Sequence, residues 1–376
     1  MKIKELNSNK IKNSPYRILL SGGGTGGHIF PALAIADAIK LKNPKAQILF
    51  VGSKGKIEMS KVPEHGYDII GIPIDGLQRK LSLKNIILPL KLVYAVLKAL
   101  IIIKKFKPTV VIGTGGYVSG PVLFVAALKK IPTIIQEQNS ISGLTNKILS
   151  RYVTHICVAY DNMQDYFPAK KIIFTGNPVR KQILDVKKLK NLGLEYFNLK
   201  SDVQTILCLG GSLGADTINS AILNSLDVIE DNNLQLIWQC GPNYYDKIKK
   251  TIRLEKYPNI IIKDFIENVQ YAYAVADIII SRAGAMTIAE LAIIGKAVIL
   301  VPSPNVTNNH QTNNALALVK QKAAIYINNN QAEKDLIKTA VELSKNKKEQ
   351  QKISKNLAKI ARCDSSYIIA KLALSY

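Results

Sequence analysis

The chain repeats one pattern of apolar and polar positions. A short apolar run leads into a glycine-rich or polar stretch, and an apolar segment with helical spacing follows. Residues 18–20 are the first such run, 21–28 the first such stretch, and 31–40 the predicted helix. The runs 48–51, 109–112, 133–136, 205–209 and 298–301 predict further buried strands, with shorter ones near Ile156, Ile172, Leu236, Ile260 and Ile278. Residues 66–75 read as irregular. Ile218, Ile222, Leu226 and Ile229 fall on one helical stripe, and 345–376 reads as an amphipathic helical tail. Strand and helix alternate in both halves. That order predicts an α/β chain of two doubly wound parallel sheets facing across a cleft. The charged, weakly patterned stretch 181–202 places the passage between domains at its start. The expected organisation is a disordered leader 1–16, an N-terminal domain 17–178, a C-terminal domain 179–355, and a helical segment 356–376 returning to the first domain.

Length and charge sharpen this picture. A chain of 376 residues exceeds what one hydrophobic core usually supports. An apolar content of 47% excludes general disorder. The net charge is +24, and 25 basic against 9 acidic residues precede Val179. A surface this basic seeks a polyanion: nucleic acid, anionic lipid or a phosphorylated substrate. Low aromatic content and the lack of a recognised module argue against nucleic acid. Cys157, Cys208, Cys240 and Cys363 show no metal-ligand spacing and read as reduced cytosolic thiols. The first sixteen residues are polar and lysine-rich, without the apolar run of a signal peptide.

Residues 77–108 are very apolar, yet lysines interrupt them well short of the ~20 apolar residues a membrane span requires. Lys84, Lys91, Lys98 and Lys105 recur every seven residues along one helix face, and Pro89 starts or kinks that helix. Two readings stay open. One is a helix lying in a membrane interface, strongest at its N-terminal end; the other is a helix packed on the sheet with its lysines in water.

The candidate chemistry lies in the loops. Ser21-Gly22-Gly23-Gly24-Thr25-Gly26-Gly27-His28 joins a strand to a helix. A tight turn there needs one or two glycines, not five, and has no use for a histidine at its exit. Amides at a helix N-terminus, aided by the helix dipole, hold anions. Residues 113–121 form a second glycine loop and 210–215 a third, and Glu137-Gln138-Asn139-Ser140 gathers polar side chains at a strand end. Gly284-Ala285 opens another helix, in which Glu290 is placed to accept hydrogen bonds from paired ribose hydroxyls. Taken alone, Glu290 also reads as a solvated helix residue and Arg282 as a surface charge. A dinucleotide fold would carry an acid at the end of its second strand. Here Val51-Gly52-Ser53-Lys54 stands there, which excludes that class.

Taken in order, these segments resemble a known family. The first glycine loop with its histidine, Gly116-Tyr117-Val118-Ser119-Gly120-Pro121, Glu137-Gln138-Asn139, Gly176-Asn177-Pro178-Val179-Arg180, the third loop, Ser281-Arg282-Ala283-Gly284-Ala285 and the His310-Gln311 to Asn314-Ala315 segment are similar to the motifs of MurG glycosyltransferases. The resemblance runs from Ser21 to Ala315. It implies two Rossmann-like domains in the GT-B architecture and an inverting transfer of N-acetylglucosamine from UDP-N-acetylglucosamine. The implied acceptor is the C4 hydroxyl of undecaprenyl-diphosphate-linked N-acetylmuramyl-pentapeptide, the step from lipid I to lipid II in peptidoglycan synthesis. It implies a peripheral location on the cytoplasmic face of the bacterial inner membrane, against an anionic membrane surface. A different GT-B enzyme using the same donor is the alternative, against which the paired N-terminal glycine loops argue.

Carried over residue by residue, the resemblance gives Glu290 the ribose and the backbone at Phe265-Ile266 the uracil edge. Ser212 and the amides of Gly284, Ala285, Met286 and Thr287 receive the diphosphate. Gln311, Asn314 and Asn139 receive the sugar hydroxyls. Thr25, Gly26, Gly27 and Arg180 are expected near the donor diphosphate, and Gly23, Gly24, Gly115, Gly116 and Tyr117 around the acceptor. His28 is the expected general base, because imidazole titrates near neutrality, and Glu137 is the second candidate. No cofactor or metal is expected: helix dipoles and arginines can stabilise leaving UDP, and the chain carries no Asp-x-Asp motif at a strand end. Leu213 stands where the family usually has Gln, which removes a polar contact to the donor. Met286 replaces Leu at similar volume, Asn308-Asn309 replaces an often acidic stretch, and the leader has no counterpart.

Overall fold

The structure, a computed structural model, describes residues 16–74, 88–304, 306 and 309–376. The chain forms two units: the residues through Arg180 together with Cys363–Tyr376, and Lys181–Arg362. In the first, seven parallel strands, β1 (Arg17–Gly22), β2 (Gln47–Ser53), β3 (Asp68–Ile72), β4 (Val110–Gly115), β5 (Thr133–Glu137), β6 (His155–Val158) and β7 (Ile172–Phe174), lie in the order β3-β2-β1-β4-β5-β6-β7. Leu19 pairs with Leu49 on one side and Val111 on the other. Such central strands are covered on both faces, which is why their sequence is a continuous apolar run.

The chain steps outward from β1 to β3 and then returns to place β4 on the other flank of β1. At such a switch point consecutive loops leave the carboxyl edge in opposite directions and open a crevice. The first two glycine loops follow β1 and β4. The second unit repeats the plan with β8 (Thr205–Leu209), β9 (Gln235–Gln239), β10 (Ile260–Lys263), β11 (Ile278–Ser281), β12 (Ala297–Leu300) and β13 (Ile325–Tyr326), in the order β10-β9-β8-β11-β12-β13. Its switch point lies between β8 and β11, and the third glycine loop and Gly284 follow those two strands.

Several elements differ from the sequence pattern. The first helix runs over Gly26–Lys42, five residues earlier than predicted, so Gly26, Gly27 and His28 form its first turn. First-turn residues need no carbonyl four positions back, so glycine costs little there; His28 and Ile29 amides donate to Thr25. Residues 66–75 contain the edge strand β3, whose single buried end hid its pattern. The two-residue β13 is too short to show a pattern. The stretch 181–202 is not a bare passage: helix Lys190–Phe197 follows short helical turns, and Ile183, Val186 and Phe197 enter the core. Gly193 allows close approach, since a Cβ there would lie 2.7 Å from the Tyr271 carbonyl oxygen. The Ile218 stripe is split into Asp216–Leu223 and Leu226–Asp231, with all four positions buried.

The tail is also divided. Helix Lys347–Ala358 buries Ile353 and Leu357 in the second unit. Helix Ser365–Ala373 buries Ile369, Ala370 and Ala373 with Ile29, Ala32 and Ile39 of the first helix. The units therefore divide after Arg180 and Arg362 rather than after 178 and 355. Cys157, Cys208 and Cys240 are buried and Cys363 is exposed, all as thiols. Burial pushes the Cys157 thiol up to about 12 and Cys240 up to about 11.

Helix Leu88–Phe106 carries Pro89 at its second position. It turns Ala95, Ala99, Ile102 and Ile103 inward and leaves Leu90, Val93, Leu97 and Ile101 exposed. Among the described residues no helix is long and apolar enough to cross a membrane. The expected leader up to residue 15, Lys84 and Asn308 lie outside the described residues.

Candidate functional site

In the first unit the sheet's carboxyl edge gathers one polar cluster. His28, in the first turn after the first glycine loop, points its Nδ1 at the Thr114 carbonyl oxygen, 3.0 Å away, and at Gln138 Oε1, 3.3 Å away. Both neighbours are acceptors, so Nδ1 carries the proton and the neutral ring is basic at Nε2. The buried Thr114 hydroxyl donates to the His28 carbonyl at 2.7 Å, which ties the helix start to the end of β4 a second time. The two glycine loops touch. Gly116 has φ +83°, and a Cβ there would lie 2.4 Å from the Gly23 carbonyl oxygen. A Cβ on Gly115, φ +99°, would lie 2.8 Å from His28 Nδ1. Only glycine permits this approach. Thr25 is the exposed N-cap residue, Tyr117 is exposed within the second loop, and the Arg180 guanidinium stacks 5.7 Å from the Phe30 ring centre.

Glu137 is buried and its two oxygens face the loop that follows it. Oε1 accepts from the Asn139 amide at 3.1 Å and from Asn139 Nδ2 at 3.3 Å. Oε2 accepts from the Gly143 amide at 2.9 Å and Asn146 Nδ2 at 3.0 Å. Four donors around one carboxylate match its usual capacity. Glu137 thereby shapes the loop that carries Asn139.

The second unit gathers its own cluster at its own carboxyl edge. Ser212 is exposed in the third glycine loop, ahead of helix Asp216–Leu223. Ala285, Met286 and Thr287 form the first turn of helix Ala285–Ile294, after the N-cap residue Gly284. One turn on, Glu290 is buried and accepts from the Tyr273 hydroxyl at 3.2 Å, so it is not a solvated helix residue. Arg282 is not a surface charge either. Its Nη1 donates to the carbonyls of Val301 (3.0 Å) and Pro302 (3.1 Å) and to Asn329 Oδ1 (2.7 Å), and burial holds its pKa below the usual range. Gln311 accepts from the Ser303 amide at 2.9 Å, and Asn314, three residues on, is fully buried and faces the Ala283 carbonyl. The Ile266 amide donates to Gln239 Oε1 at 3.0 Å. The donor-side expectations thus fall in both units: Thr25, Gly26, Gly27, Asn139 and Arg180 in the first, the rest in the second. Among the described residues no group of three or more His, Cys, Asp or Glu side chains is placed to hold a metal ion.

The glycosyltransferase family 28 N-terminal domain matches residues 18–158, and the family 28 C-terminal domain matches 205–366. The UDP-N-acetylglucosamine–N-acetylmuramyl-(pentapeptide) pyrophosphoryl-undecaprenol N-acetylglucosamine transferase of Bacteroides fragilis is 48% identical over 367 residues, 97% of each chain. The enzyme of that name from Cytophaga hutchinsonii is 49% identical over 355 residues, 94% of this chain and 95% of its own. The crystal structure of Acinetobacter baumannii MurG superposes with a TM-score of 0.76 at 30% identity, covering 96% of this chain and 100% of that one. The chain belongs to the MurG family of family 28 glycosyltransferases.

Three residues that hold the candidate loops of this MurG-family chain, each within its own unit, give little sign in the sequence. Thr114 is one letter of a glycine loop, yet its carbonyl and hydroxyl both anchor His28. Glu58 is fully buried beneath the first loop and accepts from the Ser53 and Gly24 amides. Its one signal is rarity, as one of 9 acids before Val179. Gln239, at the end of β9, donates to the Gly211 carbonyl at 3.0 Å while accepting from Ile266, and so bridges the third glycine loop to the expected uracil-reading strand end. Leu213, the departure from the family pattern, is exposed in that same loop.

Proposed function

We propose that this chain transfers N-acetylglucosamine from UDP-N-acetylglucosamine to the C4 hydroxyl of undecaprenyl-diphosphate-linked N-acetylmuramyl-pentapeptide, with inversion at the anomeric carbon. The observation that carries this is the 48% identity to a transferase of that name across 97% of both chains. In the step itself the acceptor oxygen bonds to the anomeric carbon, the bond from that carbon to the UDP oxygen breaks, and the hydroxyl proton passes to a base. We assign the base to His28 Nε2. The two acceptors at Nδ1 support this, since they leave basicity on the other nitrogen and stabilise the imidazolium that forms. Glu137 is less suited, because four hydrogen bonds already occupy its carboxylate.

The second unit takes the nucleotide. The helix N-termini at Ala285 and Asp216 suit the diphosphate and the charge that builds on departing UDP. Glu290, oriented by Tyr273, takes the ribose, and Gln311 and Asn314 take the sugar. Gly23, Gly24, Gly115 and Gly116 take the diphosphate of the acceptor, beside His28. The exposed apolar side chains of helix Leu88–Phe106, flanked by Lys98, Lys104 and Lys105, support peripheral attachment to the anionic cytoplasmic face of the inner membrane.

Release of UDP from UDP-N-acetylglucosamine, measured with and without a lipid I analogue, tests the assignment. Turnover should appear only with the acceptor. Folded protein that binds UDP yet releases none with the acceptor present would overturn it.

A further inference from the structure

Around His28 the side-chain amides form a directed chain. The Asn177 Nδ2 donates to the Gln138 main-chain carbonyl at 3.0 Å. Asn177 Oδ1 therefore faces Gln136, whose Nε2 donates to it at 2.8 Å and to the Glu137 carbonyl at 3.3 Å. With its NH2 committed, Gln136 offers Oε1 to Gln138 Nε2, and the two are in contact. Gln138 Nε2 also donates to the Thr114 carbonyl at 2.7 Å and the Gln136 carbonyl at 3.1 Å. Three acceptors surround that end of the Gln138 amide, so it is the NH2, with two hydrogens to share among them, and not the oxygen that lies there. Turning the amide over would set its oxygen against three oxygens inside a buried site, where Gln136, Gln138 and Asn177 are each at most 5% exposed. An uncompensated buried polar contact of that kind costs about 1–3 kcal/mol.

We infer that Gln138 is a positioning residue for the proposed base: it presents Oε1 to His28 Nδ1 and, together with the Thr114 carbonyl that its own NH2 anchors, holds the imidazole in the tautomer with its proton on Nδ1. The device is uncharged. A carboxylate in this place would also orient the ring, but it would set a second oxygen against the Thr114 and Gln136 carbonyls, where Gln138 places its NH2. Gln138 supplies both ends at once, an oxygen for the ring and an NH2 for the strand-end carbonyls. The inference rests on the assignment of His28 as base, because a tautomer matters to turnover only if Nε2 takes the proton.

The test is the nitrogen NMR spectrum of the full chain labelled in its histidines, of which there are 4, with the His28 signals assigned by their loss in His28→Ala. In the wild-type chain above the ring's titration, Nδ1 should resonate as a protonated nitrogen and Nε2 as an unprotonated one. The reverse pattern would overturn the inference without recourse to any variant. In Gln138→Leu the His28 signals should shift toward mixed tautomers. Turnover should fall roughly tenfold, while the KM for UDP-N-acetylglucosamine changes less than twofold. Unchanged His28 signals in a folded Gln138→Leu would overturn the role, and if that variant does not fold, Gln138→Met serves in its place. Mixed tautomers in Gln138→Leu, with normal turnover both in that variant and in His28→Ala, would confirm the positioning of the ring and remove His28 as the base.

Discussion

Glu58 reaches beneath the first glycine loop and accepts the Gly24 amide with both carboxylate oxygens, each at 3.0 Å. Oε1 also takes the Ser53 amide at 2.8 Å, and a Cβ on Gly23 would lie 1.9 Å from it. The loop thus closes over a carboxylate before it meets any phosphate. Hydrogen bonds to a charged group contribute roughly 1.5–3 kcal/mol each. Glu58→Gln should therefore lower stability by about 2–4 kcal/mol, read as a lower thermal midpoint. It should also raise the KM for the acceptor, with UDP affinity at the second unit unchanged. A variant with wild-type midpoint and acceptor KM would show that the loop holds its shape without Glu58.

Gly115 makes the approach of the second loop to His28 possible. Its φ of +99° is poorly tolerated by side chains, and its Cβ position lies 2.8 Å from Nδ1. Gly115→Ala must push the ring or the strand end. A misplacement of about 1 Å at reacting groups can cost 10²-fold. Turnover should fall by roughly that factor, with donor KM held. Near-normal turnover would mean that the ring tolerates displacement, and would weaken the case for His28 as base.

The glycine loops are legible in the amino-acid sequence because strand, glycine run and helix follow one another locally, and the switch points then place them at sheet edges. Glu58, Thr114 and Gln239 are not. Each acts on a segment distant in sequence: Glu58 on Gly24, Thr114 on His28 and Gln239 on Ile266. No periodicity records such pairings. The helix start at Gly26 is hidden for the opposite reason. Two glycines and a histidine have weak helix propensity, and the tertiary contacts of Thr114 and Gln138 supply what the local sequence does not.

Tyr273 and Glu290 divide the work of the proposed ribose site. Glu290 is the group assigned to the hydroxyls, and Tyr273, buried on helix Val269–Val275, aims it. Loss of a charged hydrogen bond is worth roughly 1.5–3 kcal/mol, or about 10- to 150-fold in affinity. Glu290→Ala should weaken UDP binding within that range. Tyr273→Phe should weaken it only a few fold, because it removes aim and not the acceptor. Calorimetric titration with UDP checks both. Equal losses in the two variants, or none in Glu290→Ala, would move the ribose elsewhere.

Helix Leu88–Phe106 uses only a narrow face for its own unit. Ala95, Ala99, Ile102 and Ile103 pack inward, and Leu90, Val93, Leu97 and Ile101 form a second apolar stripe facing out. Lys98, Lys104 and Lys105 are exposed on the same helix, and the Lys98 ammonium lies 5.7 Å from the Tyr94 ring centre. Burying an apolar side chain of this size is worth about 1.5–3 kcal/mol, and each lysine near an anionic surface about 1 kcal/mol. The two contributions separate by experiment. Leu97→Ser with Ile101→Ser should weaken sedimentation with neutral and anionic vesicles alike. Lys98→Glu with Lys105→Glu should remove the preference for anionic vesicles and leave binding to neutral ones nearly unchanged. Neither pair touches an inward position, so the thermal midpoint should hold. Vesicle binding unaltered by both pairs would return this helix to an ordinary solvated surface.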